Sequence, residues 1–450
     1  MLPTLFAVPA AASRPPHVLY VAWGFPPSRG SGVYRALATA NMLVDLGCQV
    51  TVITADRQTF VRSTGVDETL EALVHPSIDV VRVDFEWPHF QREIDQWPRE
   101  RAQDPAGWLE TWNAAAVAPF PEVRYGAWFP RISAAAEKVH ADRPVDLVIA
   151  TANPNVDCAV GLHLFEKHGV PYVTDQRDGW CLNPLTENVD FPEGTPTADM
   201  EKRLIGSALE SWFVNEPIRQ WHEGAYPESA EKLQVVMNGY DPNTAPTPRL
   251  SPADPDAPLT VGYVGTVTPH VPLAEALEGW FDARERDPRV RSARLELYGH
   301  LGHFAQSNPV AQTLLDSAAS EGVSYGGAVG KARLREIYDR FDVLLFATGG
   351  GKYVTTGKVF EYMATGLPIV SCHVPEMAGV DVLRGYPLWF PVADLSPESL
   401  GSALAQACEA AVTADRATRE RCIEHAATYE RNRQLRGPLE RVLAKAGVTR

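Results

Sequence analysis

The chain has 450 residues, 45% of them hydrophobic and 22% charged, with a formal net charge of −15. This length exceeds one ordinary core and suits two domains of roughly 200 residues each, and the acidic balance argues against binding nucleic acid through a broad basic surface. The six cysteines, Cys48, Cys158, Cys181, Cys372, Cys408 and Cys422, include no Cys-x-x-Cys pair, which excludes a zinc knuckle or dithiol redox motif and reads as reduced, buried thiols of a cytoplasmic protein.

The start, Met1 to Ala12, has small residues like those of a cleavage site but no basic opening, and proline breaks its apolar run; it reads as a loose leader. No stretch reaches the roughly 18 apolar residues of a membrane span. Short apolar runs at His17–Trp23, Val50–Thr54, Asp79–Val83, Asp146–Ala150 and Tyr172–Thr174 read as parallel strands. Between the first two, Gly32–Leu46 places Val33, Leu37, Ala40, Met42, Leu43 and Leu46 at helical spacing, giving a β-loop-α-β unit. From about Phe85 to Pro130 the pattern gives way to a stretch with Trp87, Trp97, Trp108, Trp112 and Trp128. It reads as a helical insertion whose rings either form a satellite core or line an apolar acceptor site or membrane interface.

The Pro-, Asp- and Ala-rich tract Asp241–Pro258 reads as an interdomain linker. Its Asp254-Pro-Asp256 has the form of an Asp-x-Asp metal motif, but no strand precedes it, so no metal site is expected there. Strand signals resume at Leu259–Val264, Arg294–Tyr298, Val323–Tyr325, Asp342–Phe346 and Pro368–Val370, with helical patterns at Leu273–Arg286, Val310–Ser320 and Lys331–Phe341. After Ser396 the chain reads as helices. The expected class is α/β, two Rossmann-like doubly wound domains: residues 15–240 with the insertion at about 85–130, a linker at 241–258, a second domain at 259–428, and a last helix at 429–450.

Ligands of open parallel sheets bind at the carboxyl ends of the strands, so the loops there carry the candidate chemistry. Thr356 to Val370 is the richest. Gly357 opens a helix whose first N–H groups lack internal partners, and Lys358 adds a positive charge, which together suit a phosphate. Glu361, three positions on, shares a helix face with Lys358 and can accept two hydrogen bonds from a ribose diol. The same spacing also fits a plain amphipathic surface helix. Gly24–Arg35 is a glycine-bearing loop with Arg29, Gly30, Gly32 and Arg35, readable as a phosphate-approaching loop or as a tight β-to-α turn. Gly349–Thr356 offers a glycine-rich loop with Lys352, Thr355 and Thr356. Asn238–Asp241 reads as a structural turn, and His300 and His303, without a carboxylate at ligand spacing, as a loop rather than a metal site.

The run Thr356-Gly-Lys-Val-Phe-Glu-Tyr-Met-Ala-Thr-Gly-Leu-Pro-Ile-Val370 resembles the nucleotide-sugar site of family 4 and related GT-B glycosyltransferases, where a Lys-x-x-Glu-Tyr-Met-Ala-x-Gly-x-Pro helix holds the donor. The resemblance implies transfer of a sugar from a nucleoside-diphosphate sugar to an acceptor in the interdomain cleft, with retention of configuration, without metal, and with no cofactor besides the donor substrate. It places Gly357, Lys358 and Val359 on the diphosphate and Glu361 on the ribose, and adds Gly265, Thr266, Gly330, Lys352, Thr355 and Thr356 to the donor side. Asp175-Gln-Arg-Asp-Gly-Trp180 resembles the family's Arg-Asp-Pro-Trp, with Gly179 in place of proline. Asp178, Lys358 and Arg177 are then the expected catalytic set, although an internal Arg177–Asp178 pair that fixes the loop competes. Arg29, Gly30, Gly32 and Arg35 are expected to reach across the cleft, and the last helix to cross back to the first domain.

Two departures stand out. Thr266 occupies the place of an arginine with no lysine following, and Tyr353 stands where the first of two family glutamates belongs. These leave open a catalytically silent GT-B partner subunit, and the fold leaves open a nucleotide-sugar epimerase. The acceptor is expected to be a sugar, a lipid-linked molecule or a natural product. No nucleic-acid partner is expected, and peripheral contact with the inner face of the membrane is left open.

Overall fold

The computed structural model describes residues 14–302, 308–374 and 377–448. The leader expected over Met1–Ala12 and the histidine His303 lie outside the described residues. The first sheet contains β1 (His17–Val21), β2 (Gln49–Ala55), β3 (Asp79–Val83), β4 (Leu147–Thr151), β5 (Tyr172–Gln176), β6 (Glu210–Phe213) and β7 (Leu233–Val235), in the order β3-β2-β1-β4-β5-β6-β7. The second contains β8 (Thr260–Val264), β9 (Arg294–Tyr298), β10 (Val323–Tyr325), β11 (Val343–Ala347), β12 (Ile369–Cys372) and β13 (Trp389–Pro391), in the order β10-β9-β8-β11-β12-β13. All neighbours in the second sheet run parallel. Both orders reverse direction at a central strand, as in doubly wound Rossmann-like sheets.

The apolar runs become strands because a parallel strand is covered on both faces. Along β11, Val343 and Leu345 face a core built with Leu273, Leu277, Trp280, Leu400 and Leu404, while Leu344 and Phe346 face one built with Val359, Phe360 and Met363. At β4 the strand starts one residue later than expected; Asp146 just before it still meets β1, its N–H donating to His17 O at 2.9 Å and its carboxylate accepting the His17 N–H at 2.7 Å and pairing with Arg14.

By compactness the chain divides into two units. One is Met1–Thr174 with Ser207–Glu210 and Leu439–Arg450; the other is Asp175–Gly206 with Ser211–Pro438. In the first unit, Glu210 is fully buried and paired with Arg441 at 2.8 and 3.0 Å and with Lys445 at 2.8 Å, which fastens the end of the Arg431–Lys445 helix. In the second, the tract read as a linker is tied down: Arg249 donates its N–H to Thr365 O and pairs with Asp342 at 2.7 Å, and Ala253 N–H donates to Ala411 O. The tryptophan-rich stretch holds the helices Arg99–Gln103 and Pro105–Ala116 among 3-10 turns. Arg101 stacks on Trp97, Arg124 stacks on Trp87, and Trp128 is buried with its indole N–H on Asp84 O at 3.0 Å. All six cysteines are buried and none is in a disulfide, and among the described residues no helix is long and apolar enough to cross a membrane.

Two buried polar contacts define how loops meet helices. Tyr362 is buried, and its hydroxyl accepts the Val264 N–H at 2.8 Å and donates to Val264 O at 3.2 Å, satisfying both backbone groups at the end of β8. In the first unit, the Glu122 carboxylate accepts the N–H groups of Asn155 (3.0 Å) and Val156 (2.8 Å) at the start of the Val156–His168 helix. Loss of solvent around it outweighs those hydrogen bonds and pushes its pKa up from 4.5 to about 7.

Tyr362→Phe leaves the Val264 N–H and C=O buried without that partner and is expected to cost about 1–3 kcal/mol, read as a lower urea midpoint at unchanged m-value. For Glu122, the folded state binds the extra proton between pH 4.5 and about 7. Its contribution to stability therefore falls as pH rises through that window and is level above it. The difference in unfolding free energy between wild type and Glu122→Gln, measured from about pH 4.5 to pH 8, should follow that curve; a flat difference would remove the assignment.

Candidate functional site

The loops that leave β8, β9 and β10 are laced together by backbone hydrogen bonds. Gly265 N–H donates to Tyr298 O at 2.9 Å and Gly299 N–H to Gly327 O at 2.9 Å. Gly265 has φ +155 and Gly299 φ +138; a Cβ on Gly299 would collide with the Gly265 carbonyl, and one on Gly265 would stand 2.5 Å from Lys358 Nζ. Glycine is needed at both positions for this close approach. The lacing brings Gly265 and Thr266 beside Lys358 and leads through Gly327 to Gly330, which caps the Lys331–Tyr338 helix.

Lys358 is the first residue of the helix Lys358–Ala364, which ends where Gly366 turns the chain back into β12 with φ +72. Its ammonium donates to Tyr263 Oη at 3.0 Å and to Ala347 O at 3.4 Å and lies 4.5 Å over the Tyr263 ring. Tyr263 Oη in turn donates to Thr266 O at 3.2 Å, so the strand tyrosine links the lysine to the loop. Ahead of the helix, a Cβ built on Gly357 would meet nothing within 4 Å. Gly357 thus starts the helix in open space with the Lys358 cation beside it, an arrangement suited to an anion. Val359 contributes only its backbone, since its side chain is buried.

On the same helix, Glu361 is half-buried and accepts the Tyr338 O–H at 3.4 Å. Burial, and then the neighbouring carboxylate, hold the Tyr338 phenol protonated well above its usual range, so Tyr338 serves Glu361 as a donor. Thr355 Oγ1 accepts from the Asn215 amide at 3.2 Å. The Thr356 hydroxyl is buried and has no hydrogen-bond partner among the described residues, which marks it as a group a ligand or water would satisfy. Lys352 is exposed, its ammonium 4.9 Å from the Tyr353 ring. A cavity of about 530 Å³ opens between the loops after β8 and β11, lined by Thr268, His270, Asn308, Thr348, Gly349 and Gly350 among mostly apolar side chains.

In the loop after β5, Arg177 is half-buried and Asp178 exposed. A Cβ on Gly179 would press 2.5 Å from Leu182 O, a close approach that suits glycine at this position. In the first unit, Arg29 is exposed with its N–H on Gly65 O at 3.1 Å, Gly30 donates to Ser28 Oγ at 3.3 Å, and Gly32 opens the Val33–Asp45 helix. Arg35, expected with them as a charge facing a ligand, is 3% exposed on the inner side of that helix. The structure thus brings Gly265, Thr266 and Lys358 together, continues Thr355, Thr356 and Gly357 into the same helix as Glu361, and reaches Gly330 through the laced loops. Sequence reasoning missed Tyr263, Tyr338 and Asn215. The only signal for Tyr263 was a phenol two residues before Gly265. Among the described residues, no three His, Cys, Asp or Glu side chains form a group that could hold a metal ion.

Residues 258–410 match the family model for Glycosyl transferases group 1. No curated protein matches the chain. Among solved structures, the chain is similar to a glycosyltransferase from Rickettsia africae ESF-5, at 12% identity and TM-score 0.67 over 96% of this chain and 99% of that one. It is also similar to sucrose-phosphate synthase from Thermosynechococcus elongatus, at 14% and 0.60 over 96% and 100%, and to Anabaena HepE in complex with UDP and glucose, at 14% and 0.60 over 95% and 99%. The chain has the GT-B fold, and its residues 258–410 match a group 1 glycosyltransferase domain.

Proposed function

We propose that this protein transfers a sugar from a nucleoside-diphosphate sugar to an acceptor. The observation that carries the reading is the open start of the Lys358–Ala364 helix, with Lys358, the unpartnered Thr356 hydroxyl and Glu361 along one turn. Lys358 and the N–H groups of Gly357 and Val359 hold the diphosphate, Glu361 accepts from the ribose diol, and Gly265, Thr266 and Gly330 close around the nucleotide. Lys352 and Thr355 complete the donor side. The cavity beside Thr348 and Gly349 gives the sugar its space.

When the glycosidic bond breaks, negative charge grows on the diphosphate. One preorganised cation or set of donors there is worth about 3 kcal/mol of barrier, and with Thr266 in place of arginine that work falls to Lys358 and the helix N–H groups. The transfer is retaining and needs no metal in this reading. Residues 15–240 serve the acceptor, with Asp178 binding its hydroxyl, Arg177 orienting Asp178, Arg29, Gly30 and Gly32 on the loop after β1, and Arg35 supporting that loop from within the Val33–Asp45 helix. Residues 241–258 link to the donor domain at 259–428, and the helix at 429–450 returns to the first domain. The protein works in the cytoplasm, where its acceptor is a sugar, a lipid-linked molecule or a natural product. Thr266 and Tyr353 favour a second reading, a silent partner subunit that binds nucleotide without turnover.

HepE was solved with UDP and glucose, so UDP is the first probe, followed by GDP and ADP. One of them should raise the melting temperature, and Glu361→Ala and Lys358→Ala should each weaken its binding about ten- to a hundredfold. Unaltered affinity in both variants would remove the donor site. Nucleotide binding without sugar transfer or donor hydrolysis would support the silent partner.

A further inference from the structure

The position where the family carries a glutamate for the donor sugar is filled here by Tyr353, and its surroundings show a different use. Tyr353 is 7% exposed and lies in an apolar cluster with Leu182, Ile205, Phe213, Ile218 and Tyr226. Its backbone is held too. The Asn215 side-chain amide donates to Tyr353 O at 2.9 Å and to Thr355 Oγ1 at 3.2 Å, while the other end of the same amide accepts the Ile218 N–H at 3.0 Å and caps the Glu216–Ala225 helix. The cap settles which end of the amide is oxygen, and therefore that the NH₂ faces the loop. One residue earlier, Glu187 accepts the Lys352 N–H at 3.1 Å. Asn215 is buried, so these hydrogen bonds are shielded from water and their loss is not made good by solvent.

We infer that Asn215 and Tyr353 form a clasp that sets the geometry of the nucleotide site: the ring anchors the Gly349–Thr356 loop, and the Asn215 amide fixes its last residues so that Thr356, Gly357 and Lys358 present their groups in one orientation. Asn215 is a positioning residue, since it touches the loop and not the donor, and Tyr353 has exchanged sugar reading for anchorage. The clasp ends at Thr355, three residues before Lys358, so slack there passes directly into the helix start. A loop rich in glycine has many alternative conformations, and holding one of them in advance removes that ordering cost from binding. The sugar is then read by backbone and hydroxyl groups of the loop, without a carboxylate from position 353.

The inference rests on the donor-site reading above, and the test separates the two. Serine at 215 is a good helix cap but too short to reach Tyr353 O. Asn215→Ser is therefore expected to keep the fold with a modestly lower melting temperature of the free protein, to weaken binding of the stabilising nucleoside diphosphate about tenfold, and to raise donor KM more than it lowers kcat. Tyr353→Phe keeps the ring and is expected to bind like wild type. Wild-type affinity in Asn215→Ser, while Lys358→Ala and Glu361→Ala lose binding, overturns the clasp and spares the site. Loss of binding in Tyr353→Phe also overturns it, because the phenol would then serve the donor directly. If Lys358→Ala and Glu361→Ala bind normally, the donor-site reading itself fails.

Discussion

The second sheet opens at one place, and the candidate site depends on how that opening is filled. β8 pairs with β11 only at Val261 and Gly262, although β8 continues beside β9 to Val264 and β11 continues beside β12 to Ala347. Beyond Gly262 the two central strands part, which leaves the backbone of Val264 without a strand partner on that side. Tyr362 takes the place of the missing strand by bonding both the N–H and the C=O of Val264. A buried peptide group left unpaired costs about as much as a lost hydrogen bond, so the tyrosine holds its helix against the end of β8. Lys358, one turn earlier on that helix, therefore comes to rest beside Tyr263 and Gly265.

Charge follows the same logic. The protein is strongly acidic, and an anionic ligand needs a local field that overrides that balance. A lysine at the mouth of a helix, where the positive end of the dipole also lies, concentrates positive potential in a small volume. Tyr263 supplies an aromatic face and an acceptor for the ammonium, and so keeps the cation at the helix mouth. Glu361 sits in the first turn of the helix, where a negative charge is also favoured, and Tyr338 gives it a hydrogen bond from the core side.

The loops around the helix start are held by two kinds of constraint. Gly299 admits an approach of backbone to backbone that a side chain would block, which stacks the loops after β8 and β9, and Gly265 leaves room for the Lys358 ammonium. The loop after β11 is glycine-rich and would be loose, but Tyr353 is sunk in an apolar cluster and Asn215 grips the backbone beside it. The chain has an apolar anchor at the place where the resemblance to family 4 glycosyltransferases implies a carboxylate. In that cluster an ionised side chain would lose its hydration without a partner.

Much of the fold was legible in the sequence because burial on both faces writes a parallel strand as a continuous apolar run. β3, β9 and β10 fall where their runs do, and the helix Leu273–Arg286 matches its periodicity. β6 was not legible: it opens with Glu210, a poor strand signal, and that carboxylate is tolerated in the core because Arg441 and Lys445 arrive from the other end of the chain. β7 and β13 were missed as well: three residues carry no period, and neither run is set off by glycines on both sides as β10 is by Gly322 and Gly326. At the site, Lys358, Glu361 and Gly357 could be picked out because the features that mark them, a helix start and a spacing of three, are local. Tyr263 lies 95 residues from Lys358 and Asn215 lies 138 from Tyr353, and no periodicity connects such pairs. Sequence alone determined the two Rossmann-like sheets and the Lys358–Ala364 helix, since both follow from hydrophobic pattern and local backbone chemistry. Tertiary structure decided what holds that helix and its loops in place, because buried hydrogen bonds form only once the strands have brought distant residues together.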